Sequence, residues 1–177
     1  MEVFQGRPAD VTGRLEKEIA VYDLLDQLDI PFRRVDHDHA DTMEMCQEID
    51  QALGQDICKN LFLCNRQKTK FYLLLMPGSK PFKTKDLSAQ IGSSRLSFGG
   101  PEDMERLLHL TPGSVTVLGL MYDPDCQVTL LIDQDLYQQT AFGCHPCINT
   151  STVQFSTADL REKLLPALGH PVTLVQL

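Results

Sequence analysis

Apolar positions along the chain follow two periods. Leu15, Ile19, Tyr22, Leu25 and Leu28 recur every three or four residues, which predicts an amphipathic helix over residues 13–29, closed ahead of Pro31. Residues 32–36 then read as a short strand. Asp41 or Thr42 can cap a second helix, with Glu44 reaching back as the other half of a capping box and Gly54 marking its end. Two apolar runs, 59–64 and 71–76, flank a polar stretch and predict a hairpin. Their near-continuous apolarity is that of central strands covered on both faces. Helices are expected at 84–91, ended by Gly92, and at 101–109, with Pro101 in the first turn. Residues 115–120 and 127–132 read as a second hairpin around Asp123-Pro124-Asp125, and 153–155 as a short strand. A helix over 157–168 closes at Gly169, its last turn frayed by Pro166, and 172–176 form a last strand. Hairpins interleaved with isolated helices predict an α+β domain with a mixed sheet rather than alternating βαβ units. Without repeats, low-complexity tracts or a long linker, residues 1–177 read as one domain, residues 1–12 being flexible.

Composition narrows the class. The chain has 177 residues, 42% hydrophobic and 23% charged, enough apolar material to exclude a disordered chain. Its longest apolar run, residues 71–76, is far short of the roughly 18 to 20 residues that cross a bilayer. The first residues lack the basic-then-apolar pattern of a secretory signal, so the cytoplasm is the expected location, with no membrane partner. Cysteines at 46, 58, 64, 126, 144 and 147 then read as reduced thiols. The net charge of −8 argues against a polyanion partner until its distribution is considered. Residues 59–95 carry eight bases (Lys59, Arg66, Lys68, Lys70, Lys80, Lys83, Lys85 and Arg95) and one acid, Asp86, while both flanks are acidic. One basic segment in an acidic body has the form of a local phosphate-binding face; a solvated hairpin kept soluble by its lysines has the same composition.

Few motifs carry chemistry. Cys144-His145-Pro146-Cys147 is a C-x-x-C, but redox use needs its first cysteine at a helix N-terminus, and the β-branched stretch that follows is a poor helix start. A structural zinc site needs a second paired knuckle, which the other cysteines do not supply, so neither metal nor cofactor is expected. His37 and His39 have the spacing of two ligands on one strand face and equally that of a polar strand end. G-x-S-x-G, Walker, G-x-G-x-x-G and H-E-x-x-H motifs are absent. Lys59 is less ordinary, since it opens an apolar strand immediately before Asn60. An ammonium there can bind a phosphate or a carbonyl at the end of the sheet, or merely snorkel to water. Gly113-Ser114, after Pro112 and before an apolar run, forms a tight turn whose N–H groups can face a pocket.

The order of these segments resembles the YbaK / prolyl-tRNA-synthetase-associated editing domain family. The likeness runs from about Ala20 to the C-terminus through Lys59-Asn60-Leu61-Phe62-Leu63, Phe71-Tyr72-Leu73, Arg95-Leu96-Ser97-Phe98, Thr111-Pro112-Gly113-Ser114-Val115-Thr116, His145-Pro146 with Asn149-Thr150, and Gly169-His170. Within the family the chain is most similar to the free-standing, PrdX-type members that clear alanine from proline tRNA. The resemblance implies a mixed, partly barrel-like sheet flanked by helices, and hydrolysis in trans of the ester joining a wrong amino acid to the tRNA 3′ end. It maps the family's functional lysine onto Lys59. Substrate contacts fall to Thr42, which opens the second helix, and to Asn60, Ser97, Gly113, Ser114, His145 and Asn149. Arg66, Lys68, Lys70, Lys83, Lys85 and Arg95 would meet tRNA phosphates. The implied partner is mischarged tRNA(Pro), with prolyl-tRNA synthetase as a second, and the implied state a monomer. Cys-tRNA(Pro) hydrolysis and non-catalytic tRNA binding are the competing readings. One position departs from the family: its loop reads Gly-Ser-Val-Thr-Pro, and Val117 stands where the proline would fix φ and remove a donor.

Overall fold

In the computed structural model, which describes residues 1–177, α1 (Glu16–Gln27) buries Glu18, Val21, Tyr22 and Leu25 along one stripe. The period is the expected one, displaced by a few positions: Leu15 becomes the N-cap and is 56% exposed, and an acid enters the buried face. α2 (Met43–Leu53) starts at Thr42, whose hydroxyl accepts from the Met45 N–H at 3.1 Å, and stops at Gly54 in the left-handed region. With Thr42 as cap, the third helical residue is Met45 and not Glu44, so the anticipated reach-back by Glu44 has no place. α3 (Thr84–Ile91) and α4 (Pro101–Leu108) form where the sequence pattern puts them.

Two sheets carry these helices. The first has the order β1 (Phe4–Gln5), β2 (Arg33–Asp36), β8 (Ser151–Ser156), β7 (Ala141–Cys144), antiparallel throughout. Phe4 and Gln5 thus pair within the stretch expected to be flexible. The second has the order β5 (Ser97–Phe98), β3 (Lys59–Cys64), β4 (Phe71–Met76), β6 (Val128–Asp133), β9 (Val172–Val175). β3 pairs antiparallel with β4 and β5, whereas β4–β6 and β6–β9 are parallel. The expected barrel character is not found. The sheets keep separate edges and meet through side chains, for example where the Cys58 thiol donates to the Gly143 carbonyl at 3.4 Å.

The second hairpin is replaced by another arrangement. Residues Val117–Tyr122 wind into a 3-10 helix capped by Thr116, and β6 runs parallel to β4. Gly119 is the reason: a Cβ there would lie 2.6 Å from a Leu110 methyl and 3.2 Å from the Leu108 carbonyl, so this segment packs backbone-close against the end of α4. The C-terminal helix also differs. α5 (Thr157–Asp159) passes through a π turn (Leu160–Leu164) into α6 (Leu165–Leu168). Pro166 falls in the first turn of α6, where its missing N–H costs nothing, and the wide turn before it takes the place of fraying.

Three apolar clusters result. The largest joins the sheets, with Phe62, Leu73, Leu75, Leu130, Val153 and Phe155 packing on Tyr22 and Leu25 of α1. A second lies under α3, where Leu63, Leu74 and Met76 meet Leu87. The third sits under α2. β4 is therefore buried on both faces, as its apolar run implies.

Candidate functional site

Alternation along β3 sends Lys59 and Asn60 to opposite faces of the five-stranded sheet. Lys59 shares its face with Leu61 and Leu63, under α3, and its ammonium donates to the Lys80 carbonyl. Lys80 is itself held by Asp133 and Asp135, at 2.8 and 2.7 Å, which fixes the segment that receives Lys59. Asn60 faces the other way. Its Oδ1 accepts from the Val117 N–H at 3.2 Å and its Nδ2 lies 3.2 Å from the Cys58 sulfur. The departure at position 117 thus has a definite consequence, since a proline has no N–H to give Asn60.

The 113–117 loop links Asn60 to a second group of expected residues. Gly113 has φ +89°, and a Cβ there would lie 3.0 Å from Asn149 Nδ2. Only glycine meets both demands. Asn149 donates to Asp41 Oδ1 at 2.9 Å and accepts from the Ala40 N–H at 3.0 Å, so the side chain that packs beside Gly113 is tied to the residues just before Thr42. Ser114 is buried, and its hydroxyl closes the turn by donating to the Thr111 carbonyl at 2.8 Å. A cavity of about 670 Å³ opens beside this loop, lined by Thr111, Pro112, Asn149 and Asp41, by Arg14 just ahead of α1 and by Glu18 in its first turn.

The cavity's charged wall was not legible as a site. Arg14 pairs with buried Glu18 at 2.6 Å and with Asp36 at 3.0 Å, Tyr22 donates to Glu18 at 2.5 Å, and Ser151 donates to Asp36 at 2.9 Å. Burial alone would raise the Asp36 carboxyl, but hydrogen bonds from Arg14, Arg34 and Ser151 outweigh it and hold the group at about 2. The one available signal was an acid, Glu18, within the apolar stripe of α1.

His145 follows β7. Its Nδ1 lies 2.8 Å from the Ser151 carbonyl, which can only accept, so the proton is on Nδ1 and the Nε2 lone pair is free. Burial pushes the imidazole below its ordinary value; the Ser151 bond opposes this and neighbouring His37 adds to it. A neutral ring with a free acceptor can orient a water. Its flanking cysteines differ from redox thiols. Cys144 ends a strand with no helix after it, and burial pushes Cys144 and Cys147 up to about 12, away from the thiolate that redox chemistry needs. Ser97 stands apart, opposite Cys64 and roughly 16 Å from Lys59 at the usual rise per residue.

The cations sort cleanly. Arg66, Lys68, Lys70, Lys83, Lys85 and Arg95 are all exposed, and their charged groups have no partner. Every other lysine and arginine has one. Arg7, Arg14, Arg34, Lys80, Arg106 and Lys163 form ion pairs. Lys17 and Lys59 bond carbonyls, Arg33 bonds Gln154, and Arg161 lies over Tyr137. The unpartnered six lie on the β3–β4 turn, at the start of α3 and in the segment after α3.

The model of the aminoacyl-tRNA editing domain family matches residues 37–163. The chain belongs to that family. The matched span of this editing domain includes Lys59, the 113–117 loop, His145 and Asn149. The chain is 31% identical over 163 residues to the prolyl-tRNA editing protein ProX of Acetoanaerobium sticklandii, covering 92% of this chain and 99% of the relative. It is 28% identical over 169 residues to prolyl-tRNA synthetase associated domain-containing protein 1 of Danio rerio, covering 94% and 88%. A solved structure described as a proposed trans-editing enzyme for prolyl tRNA synthetase has a TM-score of 0.65 at 17% identity, covering 92% of this editing domain and 98% of that chain. That likeness bears on the fold, which is the mixed α+β arrangement described above.

Proposed function

We propose that the chain is a trans-editing deacylase that hydrolyses the ester between alanine and the 3′ end of tRNA(Pro), acting in the cytoplasm as a monomer on tRNA delivered by prolyl-tRNA synthetase. The observation that carries the reading is the likeness to ProX across nearly the whole of both chains. The residues suit the chemistry. An aminoacyl ester is already activated, so a held water, aligned donors and exclusion of bulk solvent suffice. Water adds to the ester carbonyl, the acyl carbon–oxygen bond breaks, and the ribose hydroxyl leaves with a proton while alanine departs as its carboxylate. In this reading the Gly113–Ser114 turn and Asn149 hold the aminoacyl group and His145 Nε2 accepts from the attacking water, while the Lys59 ammonium, directed to the other face of the sheet, meets the same 3′ end at a phosphate. Selection of alanine over proline in this reading is by size, the second sieve of editing.

The test is release of amino acid from Ala-tRNA(Pro) and Cys-tRNA(Pro), with wild type and Lys59→Ala in parallel. Rapid alanine release, falling on the order of 100-fold in the variant, is the expected result. A preference for cysteine transfers the protein to Cys-tRNA(Pro), and no release from either with tRNA still bound leaves a binding protein.

A further inference from the structure

We propose that Phe82 and Phe98 form a stacking platform for an unpaired nucleobase of the RNA's single-stranded 3′ end, an inference that rests on the tRNA reading above. Phe98 is 63% exposed, the only aromatic among the large exposed apolar side chains. Its placement is fixed by register: Phe98 pairs with Leu63, so its ring leaves the sheet on the face that also carries Lys59. Phe82 packs against the cluster beneath α3 and meets Phe98 edge-on, with centroids 6.2 Å apart and planes at 64°. That contact braces Phe98 from a fixed ring and leaves it open to a stacked partner.

The surroundings say what the partner is. Phe82 lies between Lys80, whose carbonyl receives the Lys59 ammonium, and Lys83, one of the unpartnered cations. Arg95 precedes Phe98 by three residues and is also free of partners. A track therefore runs from Lys59 along the 80–83 segment to two rings flanked by positive charge. Aromatic rings beside unpaired cations match a strand of nucleotides, which offers π faces and phosphates in turn. A second copy of this chain suits the patch less well. β5 offers an edge of only two residues, and its cations would face their own like.

The experiment measures binding of uncharged tRNA(Pro) and of the same tRNA trimmed of its unpaired 3′ nucleotides. Wild type, Phe98→Ala, Phe98→Leu and Phe98→Trp are compared at one salt concentration. Wild type is expected to favour the intact RNA by about tenfold, within the range of one base–aromatic stack. Phe98→Ala and Phe98→Leu should lower that preference severalfold and Phe98→Trp should keep it, which separates stacking from apolar packing. Unchanged melting of all variants shows that the exposed ring is not holding the fold. An intact preference in Phe98→Ala or Phe98→Leu overturns the platform, as does a fall in oligomeric mass with RNA affinity unaltered. If wild type releases alanine while Phe98 variants bind normally, the platform fails and the deacylase stands. If wild type neither binds nor releases, both fail together.

Discussion

At the scale of single residues, the most informative is Val117. Its N–H holds the Asn60 carboxamide oxygen at 3.2 Å, committing that side chain to the loop. Val117→Pro removes the donor and replaces a fully buried branched side chain with an apolar ring of similar size. Thr116 already has φ −156° and ψ 150°, the extended form required before proline, and position 117 opens a 3-10 helix where proline is accepted. The variant should fold, lose about 1 kcal/mol of stability with the hydrogen bond, and free Asn60 to turn toward substrate. The ratio of alanine to cysteine release from tRNA(Pro) should then shift roughly fivefold, one hydrogen bond's worth, and Asn60→Ala in the same background should cancel the shift. An unchanged ratio would remove Asn60 from specificity. Gly113 is constrained differently, by a positive φ and by Asn149 against it, so position 113 is fixed by the backbone before any substrate arrives.

At the scale of elements, what the sequence makes legible is what local patterning governs. α3, α4 and the β3–β4 hairpin depend on caps, turn residues and apolar runs, and they form where those signals put them. The segment 115–132 does not, because its apolar residues are buried whether it is strand or 3-10 helix, and the choice falls to a distant contact between Gly119 and Leu110. β7 went unread for a related reason: Gly143 lies where a Cβ would sit 2.4 Å from the Ile57 side chain, so the strand exists through packing rather than propensity. The same long-range logic pins the parallel strands. His170, just before β9, meets Asp123 at 2.9 Å, and Asp123 also accepts from the Gln127 and Val128 N–H groups at the start of β6. Both side chains are buried. His170→Ala should therefore destabilise the protein by about 2 kcal/mol, read as a lower urea midpoint, because a buried Asp123 oxygen loses its hydrogen-bond partner on the imidazole. A loss below about 0.5 kcal/mol would show the pair to be incidental.

At the scale of the whole molecule, the problem is how a chain of net charge −8 would bind the polyanion that the proposed function gives it. The sequence shows the segregation of bases into one segment, but it does not show which are free, since pairing depends on contacts between distant parts of the chain. Lys80 belongs to the basic segment and yet is neutralised by Asp133 and Asp135, more than fifty residues away. Six others remain unpartnered, and only free cations exchange condensed counterions for phosphates. This distinction is measurable. Where one of the six contacts a phosphate, its substitution by glutamine, as in Lys83→Gln or Arg66→Gln, should lower the slope of log affinity for tRNA against log salt by about 1. Lys163→Gln is the control, because Lys163 pairs with Asp159 and bonds the Asp29 carbonyl on another surface, and its slope should match wild type. The acidic remainder sets the direction of a second effect. Repulsion by the body confines productive encounters to the basic face, so neutralising two of the six together should slow association more than it speeds dissociation. Equal slopes for Lys83→Gln, Arg66→Gln and Lys163→Gln would mean that the RNA is held elsewhere, and the hairpin–α3 face would be only a solvated surface.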